Sequence, residues 1–258
     1  KRLQKLYEEE IELYKAKTAK ECYKFEIQEN EEPGILDNKI GGIPYLPIDE
    51  EYPLDKNGEP MVLLVQINLE NVELQDFPKE GVLEIFIDKD LNWPCDYQIR
   101  YFKNNLDYRK DFSDITLENN IIEKPLKLIL KKDIEHMPIN DYRFADIMSE
   151  IISEVTGDEV NDFFDIEDYF EKNDTNMYDE FLPLNLFFGN LGGYADFTQS
   201  DPRPLQDNPE KTECLIKIDS NLADEIMIGD SGIIFSLISK DDIKHGNFKN
   251  AIVDWDCY

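Results

Sequence analysis

Residues 197–204 carry the side chains whose types and spacing best suit a binding or catalytic site. Gln199, Asp201 and Arg203 place an amide, a carboxylate and a guanidinium at alternate positions of this segment. Prolines restrict the backbone around them, and arginine is scarce in the chain. These three residues and Asp230 are the candidates for lining a binding cleft. The simpler interpretation, which we favour, is an Asp201–Arg203 ion pair that braces a loop.

Other kinds of reactive site receive less support from the sequence. The acidic run at residues 158–171 lacks the central glycine of a calcium loop. His136 and His245 do not stand at zinc-ligand spacing from each other or from a cysteine. No phosphate-binding glycine loop or nucleophilic-serine motif is present. We therefore expect no metal site, no cofactor and no catalytic residue that can be named.

The charge of the chain limits its partners. Asp and Glu total 57 against 27 for Lys and Arg, which gives a formal charge of −30. Such a surface repels phosphate backbones and anionic lipids, so we expect no nucleic acid and no membrane partner. The apolar runs are shorter than the roughly 20 residues that span a bilayer. Four widely spaced cysteines without a Cys-x-x-Cys pair indicate structural thiols in a reducing compartment, and we predict a cytoplasmic protein.

Hydrophobic periodicity predicts both helices and strands. Residues 1–20 form an amphipathic pattern, and residues 144–155 repeat apolar side chains at helical spacing, with Asp141 as the expected N-cap and Gly157 as the stop. The acidic residues 158–180 should add a second helix and a loop. Apolar runs at residues 61–67 and 82–87 are typical of strands.

An internal repeat gives the most information about architecture. Residues 40–91 align without a gap onto residues 191–242, and 12 of the 52 pairs are identical. The expected structural turns are Gly41, Gly42, Pro44, Gly81, Gly192, Gly193 and Gly232. Trp93 and Trp255 stand in similar surroundings after the two copies. Chance sharing of turn residues between two β-rich segments is the alternative to duplication.

The repeat leads to a definite fold prediction. We expect an α+β protein in which two duplicated, mostly antiparallel β-rich repeats pack together, with an N-terminal helix and a helical insertion between the repeats. Residues 1–258 then form a single domain. Its parts are a first repeat at 25–125, an acidic helical insertion at 126–180 and a second repeat at 181–258.

Several spaced motifs resemble the YwqG family of bacteria, a bacterial domain of unknown function (1963). They are the segments at residues 39–47, 63–68, 192–194, 199–203, 215–219, 229–232 and 254–258. The resemblance runs from about residue 25 to the end. It implies a bacterial protein without catalytic residues to transfer, and some family members resemble components of toxin-immunity neighbourhoods. The sequence departs from the family pattern at Lys217, where glutamine is expected, and at Ala195, where proline is common.

Charge and the missing catalytic motifs favour a non-enzymatic binding protein. Its acidic surface would cover a basic protein partner, as an immunity or antitoxin-like protein does. The rival hypothesis is a hydrolase or small-ligand-binding protein with its cleft between the two repeats. Mimicry of nucleic acid by the carboxylate surface is a third hypothesis.

Overall fold

The protein has an α+β fold built on a single antiparallel sheet, in a computed structural model that describes residues 2–104, 106–205 and 209–258, with side chains from Glu8 onward. The strands are β1 (Lys20–Gln28), β2 (Lys39–Ile40), β3 (Val62–Asn68), β4 (Val82–Ile87), β5 (Tyr97–Phe102), β6 (Leu126–Glu135), β7 (Gly189–Gly192), β8 (Glu213–Asp219), β9 (Ile233–Ile238) and β10 (Ile252–Asp256). The helices are α1 (Arg2–Thr18), α2 (Phe144–Thr156), α3 (Phe163–Lys172), α4 (Met177–Phe181) and α5 (Lys240–His245).

All ten strands belong to one sheet, in the order β10-β9-β8-β7-β1-β6-β2-β3-β4-β5. The sequence analysis expected two β-rich repeats packed together. Instead the strands join through the long central pair of β1 and β6, which run antiparallel from Lys20↔Glu135 to Gln28↔Lys127. β7 pairs with β1 and β2 pairs with β6, so each half of the chain extends the same sheet on one side.

The sheet curves until its two edge strands nearly meet. The Tyr97 hydroxyl on β5 donates to the Ala251 carbonyl beside β10 at 3.4 Å, and the Tyr101 ring packs edge-on against Phe248 at 5.0 Å between centroids. Side chains rather than a backbone ladder therefore connect the edges; we refer to this place as the seam. The concave face holds a large apolar core from both halves, including Val65, Ile85, Ile216 and Ile234.

The expected strands at residues 61–67 and 82–87 are confirmed as β3 and β4. Every residue of β4 is buried, because the core covers one face of the sheet and a loop covers the other. Such strands read as continuous apolar runs. The β3–β4 pair contains one register shift, between Leu63 and Val65. The β8–β9 pair also contains one, between Cys214 and Ile216.

The first helix is confirmed, but the helical insertion is shorter than expected. Residues 126–135 were assigned to it and form the central strand β6 instead, so the helices begin only at Phe144. Gly157 ends α2 with φ +81°, as predicted. Asp141 is not the N-cap, because that position falls on Arg143, and the Asp141 carboxylate accepts hydrogen bonds from the Arg143 and Arg203 side chains. Helices α1 to α4 pack around a second apolar cluster that contains Tyr14, Phe144 and Phe181.

The predicted glycine turns begin the loops that cover the convex face. Gly41, Gly42, Gly192 and Gly193 have φ of 70°, 79°, 73° and 69°, and Gly81 has 98°. Pro44 follows the first pair and is buried. Gly232 is needed for a different reason, since a Cβ there would lie 2.1 Å from the Asp256 carbonyl oxygen. Asn208, which the internal repeat aligns with Asn57, lies outside the described part of the chain.

Candidate functional site

Asp201 and Arg203 lie together in a buried ion-pair cluster. The Arg203 Nη2 donates to Asp201 Oδ2 at 2.6 Å and to Asp141 Oδ2 at 2.8 Å, and its Nη1 donates to the Thr212 carbonyl at 3.0 Å. Arg143 adds a second guanidinium, with its Nη2 2.7 Å from Asp141 Oδ2. The Arg203 donors are thus directed at acceptors within the chain, and they fasten the loop after β7 to the start of α2.

Electrostatics explain why this buried cluster is stable. Burial alone would raise the pKa of Asp141, but the hydrogen bond from Arg143 and the charge of Arg203 hold it below its ordinary value. The Arg203 guanidinium also lies over the rings of Tyr142, at 4.9 Å, and Phe197, at 5.6 Å. This geometry matches the loop-bracing Asp201–Arg203 pair that the sequence analysis favours.

The other two predicted cleft residues lie elsewhere. Gln199 donates through Nε2 to the Cys257 carbonyl at 2.9 Å and lines a groove of about 290 Å³ beside β10. Asp230 lies in the turn before β9, where its carbonyl accepts from the Tyr258 amide at 3.4 Å. Among the described residues, the side chains around that groove include Gln199 but not Asp201, Arg203 or Asp230.

A buried ion pair under the second glycine loop was not anticipated. Lys217 Nζ on β8 lies 2.9 Å from Glu135 Oε1 at the end of β6, with side-chain exposures of 1% and 0%. The second carboxylate oxygen accepts from the Tyr194 amide at 2.7 Å. Burial acts to lower the pKa of Lys217, but Glu135 and Asp196 raise it above its ordinary value. Lys217 is the position noted as a departure from the family pattern, and a lysine inside an apolar strand requires a buried counter-ion.

The corresponding place under the first glycine loop is arranged differently. Gln66 is a buried amide with all its partners inside the fold: its Oε1 accepts from the Tyr45 amide at 2.7 Å, and its Nε2 donates to the Ile35 and Asp37 carbonyls. Beside it, Glu84 is fully buried, and neither carboxylate oxygen has a hydrogen-bond partner among the described residues.

Burial disfavours the charged form of the Glu84 carboxyl. Burial raises the pKa of Glu84 well above its ordinary value, while Lys39 and Arg100 act in the opposite direction. Burial also lowers the pKa of Lys39 to about 8, although its Nζ donates to the Gly34 carbonyl at 3.0 Å. Lys39 and Glu84 are both buried, but in the described part of the chain the Lys39 ammonium donates to backbone carbonyls and not to the Glu84 carboxylate.

The four cysteines are free thiols, and burial favours the protonated form of three of them, Cys22, Cys95 and Cys214. Cys22 and Cys214 are buried, and Cys95 and Cys257 are partly buried. Burial raises the pKa of Cys95 and of Cys214 to about 12, and it raises that of Cys22 further. Protonated thiols are weak nucleophiles. The described residues contain no cluster of three or more side chains suited to holding a metal ion.

Among the described helices, none has both the length and the apolar composition required to cross a membrane. A comparison with curated proteins gives no match. A family profile matches residues 38–257, from β2 to the end of the seam, and its description is Domain of unknown function (DUF1963). This match spans most of the chain and includes both halves of the sheet. The chain therefore belongs to the DUF1963 family.

Proposed function

We propose that this protein is a non-enzymatic binding protein that recognises a basic protein partner, in the manner of an immunity or antitoxin-like protein. The supporting observation is the surface of the helical insertion, which we name the acidic helical face. Residues 158–180 contain ten Asp or Glu against a single lysine. Within the described part of the chain, none of these ten carboxylates forms an ion pair.

The unpaired state of this face contrasts with other parts of the surface. Elsewhere, carboxylates are partly neutralised by neighbours: Lys127 bridges Glu31 and Asp37, and Lys124 binds Glu225. The acidic helical face therefore concentrates negative potential, which steers a cationic partner and raises its association rate. Phe164 lies within the face with 76% of its surface exposed, and it offers an apolar contact at the centre of the charges.

A pair of charge-matched variants tests this role. In the first, Asp158→Asn, Asp168→Asn and Glu171→Gln remove three exposed charges from the face. In the control, Asp49→Asn, Glu50→Gln and Glu51→Gln remove three exposed charges from a loop. Each protein is immobilised and exposed to bacterial extract at low salt, and retained proteins are identified by mass spectrometry.

We expect a basic protein that the wild type and the control retain and the face variant loses. Its association rate, measured after purification, should fall as salt increases, because screening weakens steering. The proposal is overturned if no basic protein is specifically retained, or if the two variants weaken binding equally.

A cavity supports small-ligand binding as a second candidate function. It has a volume of about 700 Å³ and lies between the end of β1, the start of β6 and residues 221–225, where the two halves meet. Filling it with Ala223→Trp should abolish any thermal stabilisation by a ligand found in a metabolite screen. The candidate fails if no metabolite raises the melting temperature, or if a stabilising metabolite acts equally on the variant.

We also propose that the two halves descend from one duplicated unit. At an offset of 151 residues, β3 and β4 correspond residue for residue to β8 and β9, and their register shifts correspond as well. The hydrogen bond from the Leu69 amide to the Gly81 carbonyl, 2.8 Å, has its counterpart between Ser220 and Gly232, 3.0 Å. In family members, the two halves should align at this offset more closely than shuffled sequences do; equal similarity overturns the proposal.

The free cysteines support a cytoplasmic location, which we keep as a proposal. Fractionation of the native cell should recover the protein with cytoplasmic markers, and recovery in an oxidising compartment contradicts it.

A further inference from the structure

Both tryptophans of the chain line one groove at the seam. Trp93 lies in the loop that leads into edge strand β5, and Trp255 lies on edge strand β10, so the two come from the opposite edges of the sheet. The groove has a volume of about 290 Å³, and its other walls include Gln199, Pro202, Asp254 and Asp256. Aromatic faces and carboxylates thus meet in one concave site.

The two indole rings are held differently. Trp255 is positioned by its surroundings: its Nε1 lies 3.5 Å from the Asn92 carbonyl, and a Cβ on Gly229 would lie 2.7 Å from its ring. Trp93 has 76% of its surface exposed. An indole with this much free surface is available to contact a ligand, while the fixed ring gives the site a constant shape.

The charge of the groove is uncompensated. Asp256 uses both carboxylate oxygens to accept the amides of Thr198, at 3.0 Å, and Gln199, at 3.1 Å. Asp254 accepts the Trp255 amide through Oδ1 at 2.9 Å, and its Oδ2 has no hydrogen-bond partner among the described residues. No lysine or arginine is found among the described residues that line the groove. Asp254, with one unpartnered carboxylate oxygen, therefore lines a groove that also has two tryptophans and, among its described lining residues, no cation.

We propose that this groove binds the guanidinium group of an arginine side chain from a partner protein. A cation is attracted to the face of an indole ring, and tryptophan is the strongest aromatic partner. Among the cationic side chains, arginine is planar, weakly hydrated and able to donate to a carboxylate while it stacks on a ring. The groove is distinct from the acidic helical face, so this inference does not depend on the function proposed above.

Intrinsic fluorescence provides a direct assay, because the chain has no tryptophan outside this groove. The purified protein is titrated at low salt with the capped peptide Gly-Arg-Gly, and with the same peptide carrying citrulline. Citrulline has nearly the shape of arginine without its charge. We expect a saturable change in emission with the arginine peptide and affinity at least about tenfold weaker for citrulline, since a charge-assisted hydrogen bond and a cation–π contact are lost.

Two variants localise the effect. Asp254→Asn removes the free carboxylate without changing the side-chain size, and Trp93→Leu removes an exposed ring, leaving Trp255 as the reporter. Each substitution should lower the affinity for the arginine peptide at least about fivefold. Asp49→Asn, which removes an exposed charge elsewhere, should leave that affinity unchanged. Circular dichroism and urea midpoints confirm that each variant is folded.

Three results would overturn the proposal. The first is the absence of saturable binding, and the second is equal affinity for the arginine and citrulline peptides. The third is competition by tetramethylammonium at the same concentration as the arginine peptide, which would assign the groove to quaternary ammonium groups instead. Loss of partner capture by the acidic-face variant leaves these titrations unaffected, so the two proposals can fail separately.

Discussion

Replacement of Lys217 by methionine should strongly destabilise the fold at neutral pH. Methionine fills nearly the same space as the lysine stem, so Lys217→Met removes the charge with little change in packing. Glu135 is then left as a buried carboxylate without its cation, since its exposure is 0% and its other contact is the Tyr194 amide. Removal of one partner from a buried ion pair costs about 3–5 kcal/mol. For a chain of this size, each kcal/mol lowers the melting temperature by about 2–4 °C.

The pH dependence gives the reasoning a second test. Burial already raises the pKa of Glu135, and the variant loses the opposing influence of Lys217. An acid whose folded pKa is raised destabilises the fold above its unfolded pKa and ceases to do so below it. The loss of stability in Lys217→Met should therefore be larger near pH 7 and become smaller as the pH falls through the ordinary carboxyl range of about 4–5. Urea denaturation followed by circular dichroism at several pH values measures this deficit.

Two further variants separate the ion pair from other effects of the substitution. Lys124→Met removes an equally short pair, 2.7 Å from Glu225, in which the lysine is 64% exposed, and it should cost less than about 1 kcal/mol. The double variant Glu135→Gln/Lys217→Met keeps an acceptor for the Tyr194 amide but has no buried charge. It should recover at least about 2 kcal/mol relative to the sum of the single changes. The reasoning is refuted if Lys217→Met costs no more than Lys124→Met, or if the double variant is additive.

Three other substitutions have clear expected outcomes in urea denaturation. Glu84→Gln should stabilise the fold by about 1 kcal/mol at pH 7 and have no effect near pH 4. The reason is that an acid whose pKa is raised by folding destabilises the folded state only at pH values above its unfolded pKa. Equal effects at both pH values contradict this. Gly193→Ala should lower the free energy of unfolding by at least about 1 kcal/mol more than Gly58→Ala does. Both glycines have positive φ, but only at Gly193 would the new Cβ lie 2.2 Å from Glu135 Oε2. Arg203→Lys should cost about 2 kcal/mol or more, since an ammonium group does not reproduce the forked contacts, and an unchanged midpoint would contradict the bracing role.

Local sequence patterns were sufficient to predict the elements whose burial or end caps depend on residues close together in the chain. β3 and β4 are apolar runs because both faces of these strands are covered, and α2 ends where Gly157 adopts a left-handed conformation. The glycine turns were also predictable, since residues with side chains are disfavoured at their φ values. In each case the physical cause acts within a few residues of the pattern.

β6 was missed because its own sequence gives little indication of its place in the fold. Residues 131–134 are exposed and include Lys131, Lys132 and Asp133, so the strand does not read as one continuous apolar run. Its strand conformation depends on pairing with β1, where Lys20 lies opposite Glu135. That partner is more than one hundred residues away in the chain. A prediction from local patterns consequently assigned the segment to the neighbouring helices and divided one sheet into two.

The candidate sites depend on the same long-range pairings. With 57 acids in the chain, nothing local identifies Glu135 as the counter-ion of Lys217; the strand order β8-β7-β1-β6, which brings the end of β6 near β8, decides it. Trp93 and Trp255 were noticed only as similar ends of two repeats, and they form one groove because the sheet closes at its edges. An arginine site at the seam thus requires a closed sheet as well as the right residues. Variants that loosen the seam without changing a groove residue, such as Tyr101→Ala, should lower the affinity for the arginine peptide in the fluorescence titration. Unchanged affinity in a folded Tyr101→Ala protein would show that closure does not position the two rings.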